Sequence, residues 1–194
     1  MIPLLLLTVA GLAIVVERFW SLRRDRVMPP GLGDEVRTWV ARGNALEPSH
    51  IESLRATSPL GALLAAELDV RHRGREIIRE RVEDVGRHLV HRMERFLNSL
   101  GTIAAAGPLL GLFGTVVGMI EIFGSQAPGS GSNPQQLAHG ISVALYNTAF
   151  GLIIAIPALM FYRYFRGKVD EFQLTLELAA ERMLPHLMRF AVRG

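Results

Sequence analysis

Apolar residues fall in three long runs along this chain, and charged residues are confined to the stretches between and after them. Residues 1–16, 96–120 and 140–162 carry no charge. A membrane-spanning helix needs about 20 apolar residues at about 1.5 Å of rise each. The second and third runs meet that length, and the first is slightly short of it. Buried core helices of a soluble protein are the competing reading, but these runs exceed the usual core-helix length of about 10–14 residues. Between the second and third runs lies SQAPGSGSNPQQ (125–136), an uncharged stretch rich in turn-forming residues.

The polar stretches carry a different periodicity. Ile78, Val82, Val85, Leu89, Met93, Phe96 and Leu100 recur at three- and four-residue steps, the apolar stripe of one helix. The spacing predicts a helix from near Arg75 that continues without a break into the second span. A second stripe, Val169, Phe172, Leu176, Ala179, Met183, Leu187 and Phe190, predicts that the third span also continues as one helix beyond the membrane. Two such helices can pack on each other or on neighbouring copies. Residues 31–74 read as two or three shorter helices, with turns at Pro29-Pro30, Gly43, Pro48 and Pro59.

Charge orients these elements. All 21 Lys and Arg residues lie outside 96–162, fifteen of them at 18–95 and six at 163–193. Basic residues concentrate on cytoplasmic flanks. The basic-free window therefore crosses the membrane twice, with its midpoint on the far side. Arg18, Arg23, Arg24 and Arg26 follow the first run, and no basic residue precedes it, which argues for a span rather than a cleaved signal peptide. The predicted fold is an all-α membrane protein with three transmembrane helices. Span one covers 1–17 with the N-terminus outside, and a cytoplasmic helical region covers 18–95. Span two covers 96–124, a short outer loop 125–136, span three 137–163 and a cytoplasmic C-terminal helix 164–194. The chain can also begin upstream of the residues given.

A pI near 9.9 raises nucleic acid as a partner. The arginines are interleaved with thirteen acids over 17–94, a mixed-charge region and not a basic patch, so no nucleic acid is expected. The chain has no cysteine, hence no disulfide and no thiolate chemistry. It has no internal repeat and none of the G-x-S-x-G, H-E-x-x-H or phosphate-loop motifs. The expectation is a protein that is not an enzyme and holds no cofactor or metal.

Polar and small residues inside the spans carry the remaining information, because polar groups there are costly unless paired or wet. Gly107, Gly114 and Glu121 stand at seven-residue steps in span two. Gly107 with Gly111, and Gly114 with Gly118, form GxxxG pairs that let helix backbones approach closely. Ala144, Thr148, Gly151 and Ala155 lie near one face of span three. Pro108 and Pro157 would bend or loosen their spans. Thr115 and Thr148 have two readings. A hydroxyl can tie a helix to a carbonyl one turn back or to a neighbouring helix; alternatively the pair lines a hydrated or partner-filled cavity. Glu121, the one acid in the window, and His139 sit near the outer edge and read as interfacial.

Two stretches, GPLLGLFGTVVGMIEIF (107–123) and LAHGISVALYNTAFGLIIAIPALMFYRYF (137–165), resemble the MotA/TolQ/ExbB proton-channel family, closest to its ExbB/TolQ branch. VERFWSLRR (16–24) is similar to that branch's segment after its first span. The resemblance is strong over 97–170, weaker over 1–26 and only architectural over 31–95. It implies a homo-pentamer in the bacterial inner membrane, with a periplasmic N-terminus and a cytoplasmic C-terminus. It also implies that a dimeric ExbD/TolR-like partner stands in the central pore, and that a partner aspartate takes up and releases protons. A TonB/TolA-like protein then carries the energy toward the outer membrane, the remaining contacts being with membrane lipids. By the same resemblance Thr115 and Thr148 face the pore. One position departs: where the ExbB/TolQ motif has GIxEAL this chain has GISVAL, so Val143 occupies the site of the pore glutamate. Asn147, one helical turn later, is a candidate for restoring polarity there. The alternatives are a MotA-like motility stator subunit and a non-conducting scaffold that recruits partners through its cytoplasmic helices. A stand-alone transporter is disfavoured, because no inverted repeat or intramembrane charge pair is present.

Overall fold

A computed structural model of the chain describes residues 2–41, 47–124 and 134–191. Among these residues every regular element is a helix: α1 (Ile2–Ser21), α2 (Arg24–Val27), α3 (Leu32–Ala41), α4 (Pro48–Thr57), α5 (Pro59–Asp69), α6 (Arg75–Met93), α7 (Leu97–Gly124) and α8 (Pro134–Ala191). Three stretches, in α1, α6–α7 and α8, are long and apolar enough to cross a membrane. The turn at Gly43, most of the outer loop (125–133) and the side chain of Phe190 lie outside the described residues.

The chain divides into two compact units. The first comprises Met1–Glu17 and Phe96–Tyr164 and so contains most of α1, all of α7 and the first half of α8. Its outward faces are apolar: Leu5, Leu12, Leu109, Phe113, Leu145, Ile153 and Met160 are each more than half exposed. A water-soluble domain rarely exposes contiguous apolar surface on this scale, whereas hydrocarbon surroundings require it. Together with the lengths of the runs, this makes the chain a multi-pass membrane protein. Inside the unit Leu4, Leu100, Ile103, Ala144, Ala155 and Ala158 are buried.

The second unit comprises Arg18–Arg95 and Phe165–Gly194. Prolines open its short helices, where a missing N–H costs nothing: Pro48 starts α4 and Pro59 starts α5. Ser58 caps α5, its Oγ accepting from the Gly61 N–H at 3.0 Å. Ahead of α3, Pro30 and Gly31 (φ +83°) form a tight turn in which the Leu32 N–H reaches the Pro29 carbonyl at 3.4 Å. Eight of the eleven residues of α5 are buried, so this helix is the unit's centre. A Cβ on Gly61 would collide with the Leu54 carbonyl, which sets how closely α4 and α5 approach. Ile78, Leu89 and Met93 of α6, and Val169, Phe172, Leu176, Met183 and Leu187 of α8, are buried at helical spacing.

The unbroken helix predicted from Arg75 through span two does not form. α6 ends at Met93, and α7 starts at Leu97. Phe96 sits between them with φ +65°, in the left-handed region, so it leaves the stripe to which the spacing assigned it and is 40% exposed. Arg18 supplies the physical reason. Its buried guanidinium donates from Nη1 to the Met93 carbonyl at 3.0 Å, satisfying a carbonyl at the helix end and placing positive charge there. Glu94 is held by Arg166 of α8 at 3.2 Å, and Phe19 meets Phe165 edge to face at 5.0 Å. α8 itself runs without interruption past Tyr164. Its helix begins at Pro134, so 134–136, assigned above to the outer loop, are its first residues.

Candidate functional site

The polar residues of the membrane runs are positioned by a seam of small residues between α7 and α8. A Cβ on Gly107 would stand 2.9 Å from the Gly151 carbonyl oxygen and 3.1 Å from the Ala155 Cβ. At Gly111 it would stand 2.8 Å from the Asn147 carbonyl oxygen and 2.9 Å from the Thr148 Cα. At Gly114 it would meet the Asn147 side chain at 3.1–3.2 Å, and at Gly118 the Ala144 Cβ at 3.2 Å. From the other side, a Cβ on Gly151 would lie 2.5 Å from the Gly107 carbonyl oxygen. The pairings run in opposite directions along the two helices, so the helices are antiparallel. Backbone meets backbone at 107, 111 and 151, and only glycine permits it. α7 and α8 remain helical through Pro108 and Pro157, each of which lacks the N–H for one bond to the preceding turn.

This close approach brings the two threonines together. Thr115 Oγ1 and Thr148 Oγ1 lie 2.6 Å apart. Thr115 Oγ1 also lies 3.1 Å from the Ala144 carbonyl and 3.2 Å from the Gly111 carbonyl. A hydroxyl has one hydrogen and two lone pairs. When Thr115 donates to either carbonyl, Thr148 donates to Thr115 and offers only acceptor lone pairs elsewhere. When the pair reverses, Thr115 donates to Thr148 and the Thr148 hydrogen is free. The pair thus serves either a donor or an acceptor facing Thr148. Both residues are half-buried.

Asn147, Val143 and Glu121 gather at a second place. They share a groove of about 600 Å³ in the first unit, between the start of α1, the C-terminal half of α7 and the N-terminal part of α8. Pro3, Leu4, Phe113, Val117 and Gly140 also line it, as do Gly114, Gly118 and Ala144. Thr115 and Thr148 are not among its lining residues, so the seam divides the polar positions into a hydroxyl pair and a groove. Val143 is half exposed, and its isopropyl group leaves the middle of the groove apolar. Glu121 and His139 are both exposed, in the last turns of α7 and the second turn of α8. The contribution of α1 has no sequence signal, because Pro3 and Leu4 are ordinary members of an apolar run. Gly140 had one, as a small residue: a Cβ there would stand 2.6 Å from the Ile122 side chain.

Comparison with known proteins finds related sequences. The profile of the MotA/TolQ/ExbB proton channel family matches residues 55–178, more than half of the chain. A putative biopolymer transport protein ExbB homolog of Methanothermobacter thermautotrophicus is 32% identical over 162 residues, which is 83% of this chain and 57% of that protein. A putative biopolymer transport protein ExbB-like 1 of Synechocystis is 37% identical over 172 residues, covering 84% of this chain and 65% of the relative. The biopolymer transport protein ExbB of Salmonella typhimurium is 39% identical over 108 residues, 55% of this chain and 43% of the relative. The matched part of the chain therefore spans between about two fifths and two thirds of the length of these relatives. The matched region contains the glycine seam, the threonine pair and all of the groove except the start of α1; the chain belongs to the MotA/TolQ/ExbB proton channel family.

Proposed function

We propose that this chain is an ExbB-type channel subunit of the bacterial inner membrane, with its N-terminus periplasmic and its C-terminus cytoplasmic. In this reading it is not an enzyme. Five copies enclose the transmembrane helices of a dimeric ExbD/TolR-like partner, and proton movement drives displacement of one component against the other. A TonB/TolA-like protein transmits the energy to the outer membrane. The observation that carries the reading is the Thr115–Thr148 hydroxyl pair, 2.6 Å apart in a run with no basic residue, in a chain of this family.

The chemistry follows from the residues present. Val143 cannot hold a proton, and Glu121 stands near the end of its helix. The titrating carboxyl is then the partner's aspartate. An ionised carboxylate in hydrocarbon is costly, so it must face water or a donor. Thr148 can donate to that carboxylate in one orientation of the pair and accept from the protonated acid in the other. Each neutralisation changes the preferred seat of the partner helix. A proton falling through 100 mV releases about 2.3 kcal/mol from the electrical term, enough to bias one step.

Thr148→Val removes the hydroxyl and keeps the shape. Co-expressed with the product of an adjacent ExbD-like gene and reconstituted in vesicles, it should lose at least about tenfold in proton flux, the size set by a charge-assisted hydrogen bond of about 1.5–3 kcal/mol. Subunit counting should still give five copies. Flux equal to wild type would overturn the pore role. A second reading, a non-conducting scaffold, is favoured by the fact that both hydroxyls find partners within one chain. It predicts no flux in the wild type and a loss of partner recruitment when the exposed apolar residues Ile77 of α6 or Leu174 and Leu178 of α8 are made polar.

A further inference from the structure

The second unit contains a carboxyl that the transport reading does not use. Glu67 lies in α5, flanked along the helix by Leu63, Leu64 and Leu68, and is 1% exposed. Its Oε2 has no hydrogen-bond partner among the described residues. The basic residue one turn later, Arg71, donates instead to the Leu68 carbonyl at 2.7 Å.

Among the described residues, and apart from the half-buried His186 of α8, the charged groups of the surrounding helices are engaged elsewhere or exposed. Arg26 of α2 lies over the Trp20 ring, and Arg37 of α3 pairs with Asp34. Arg55 of α4 reaches Asp69 at 2.5 Å and Glu52 at 3.5 Å. On α6, Arg79 pairs with Glu83 and Arg87 with Asp84, while Arg75, Glu76 and His88 are exposed. On the α8 segment of the same unit Arg166 pairs with Glu94. Arg24, Asp25, Glu35 and His50 are exposed as well. No cation in this set forms an ion pair with Glu67.

A carboxylate in such surroundings has neither water nor a counter-charge to stabilise it, and the protonated acid is the form that tolerates burial. We propose that Glu67 is a proton-binding site at the centre of the helical unit, occupied at neutral pH, whose deprotonation loosens the seat of α5 and makes the unit's stability a reader of the pH around it. Burial alone pushes its carboxyl up from 4.5 to about 8. The sign is fixed by linkage. Below 4.5 both the folded and unfolded chains hold this proton. Between 4.5 and about 8 only the folded chain holds it, so stability falls as pH rises, and above about 8 the loss levels off.

The test uses the full-length protein in nanodiscs and reads unfolding, not transport, so it stands apart from the fate of the channel reading. For the wild type the folding equilibrium constant should fall about fifty-fold between about pH 6 and pH 8 through this group. Glu67→Gln, a neutral isostere, should remove that component, so its melting temperature should vary less with pH than that of the wild type. Infrared spectra of the wild type should show a protonated carboxylic acid band at about pH 7 that disappears by about pH 9 and is missing in Glu67→Gln. Equal pH slopes in wild type and variant would overturn the proposal. Should Glu67→Gln fail to fold, the wild-type band decides: its presence at neutral pH supports the site, and its absence refutes it.

Discussion

Gly111 is the residue on which the polar site depends most directly. A Cβ there meets only backbone, the Asn147 carbonyl oxygen at 2.8 Å and the Thr148 Cα at 2.9 Å, so neither neighbour can rotate away. Gly111→Ala should force α7 and α8 apart, at a cost of about 1–3 kcal/mol for overpacking, and lengthen the 2.6 Å Thr115–Thr148 contact. Gly114→Ala should cost less, because its Cβ meets a side chain that can shift. Gly167→Ala, with nothing within 4 Å, is the reference and should gain only the helix-propensity difference of about 1 kcal/mol. Thermal unfolding in detergent ranks the three. The GxxxG spacing marked these glycines as sites of close approach, but it could not say which of them meets backbone and which meets a side chain. That difference depends on the register of the partner helix.

The break between α6 and α7 is the feature of the elements that periodicity missed. Nothing in MERFL (93–97) signals a stop: there is no glycine, no proline and no interruption of the apolar stripe. The left-handed position after a helix end usually belongs to glycine, and Phe96 occupies it at a cost of about 1–2 kcal/mol. Phe96→Gly should therefore raise the melting temperature, offset in part by the loss of the ring's contacts, while Phe96→Val should lower it. A Phe96→Gly protein less stable than the wild type would show that the ring's contacts outweigh the backbone strain. The cause of the break lies about 75 residues away in sequence, where Arg18 reaches the Met93 carbonyl. The short helices were more legible, because proline and serine act on their own backbone: Pro48, Ser58 and Pro59 mark their starts wherever the surrounding chain goes.

At the scale of the molecule, the basic-free window 96–162 orients the proposed topology. The chain has no cysteine, so a single introduced thiol reports its own side of the membrane. Gly74→Cys and Gly124→Cys are suited to this, since both positions are exposed and neither has a neighbour within 4 Å of a new Cβ. In intact cells an impermeant maleimide should label Cys at 124 from outside, and should reach Cys at 74 only after the membrane is opened. The reverse pattern would invert the topology. Family membership and all-helical class were also legible at this scale, because long uncharged runs and the motif pair at 107–123 and 137–165 are properties of consecutive residues.

The sequence by itself determined where the membrane runs lie, which residues are small and which positions lack charge, because hydration and backbone preference act on each residue locally. Only the tertiary structure decided that Thr115 and Thr148 touch, that Asn147, Val143 and Glu121 share a separate groove, that α6 stops at Met93, and that Glu67 is enclosed without a partner. Each of these depends on what another segment brings to the residue: a carbonyl, a guanidinium, or the helices packed against α5. Distance along the chain carries no record of such meetings.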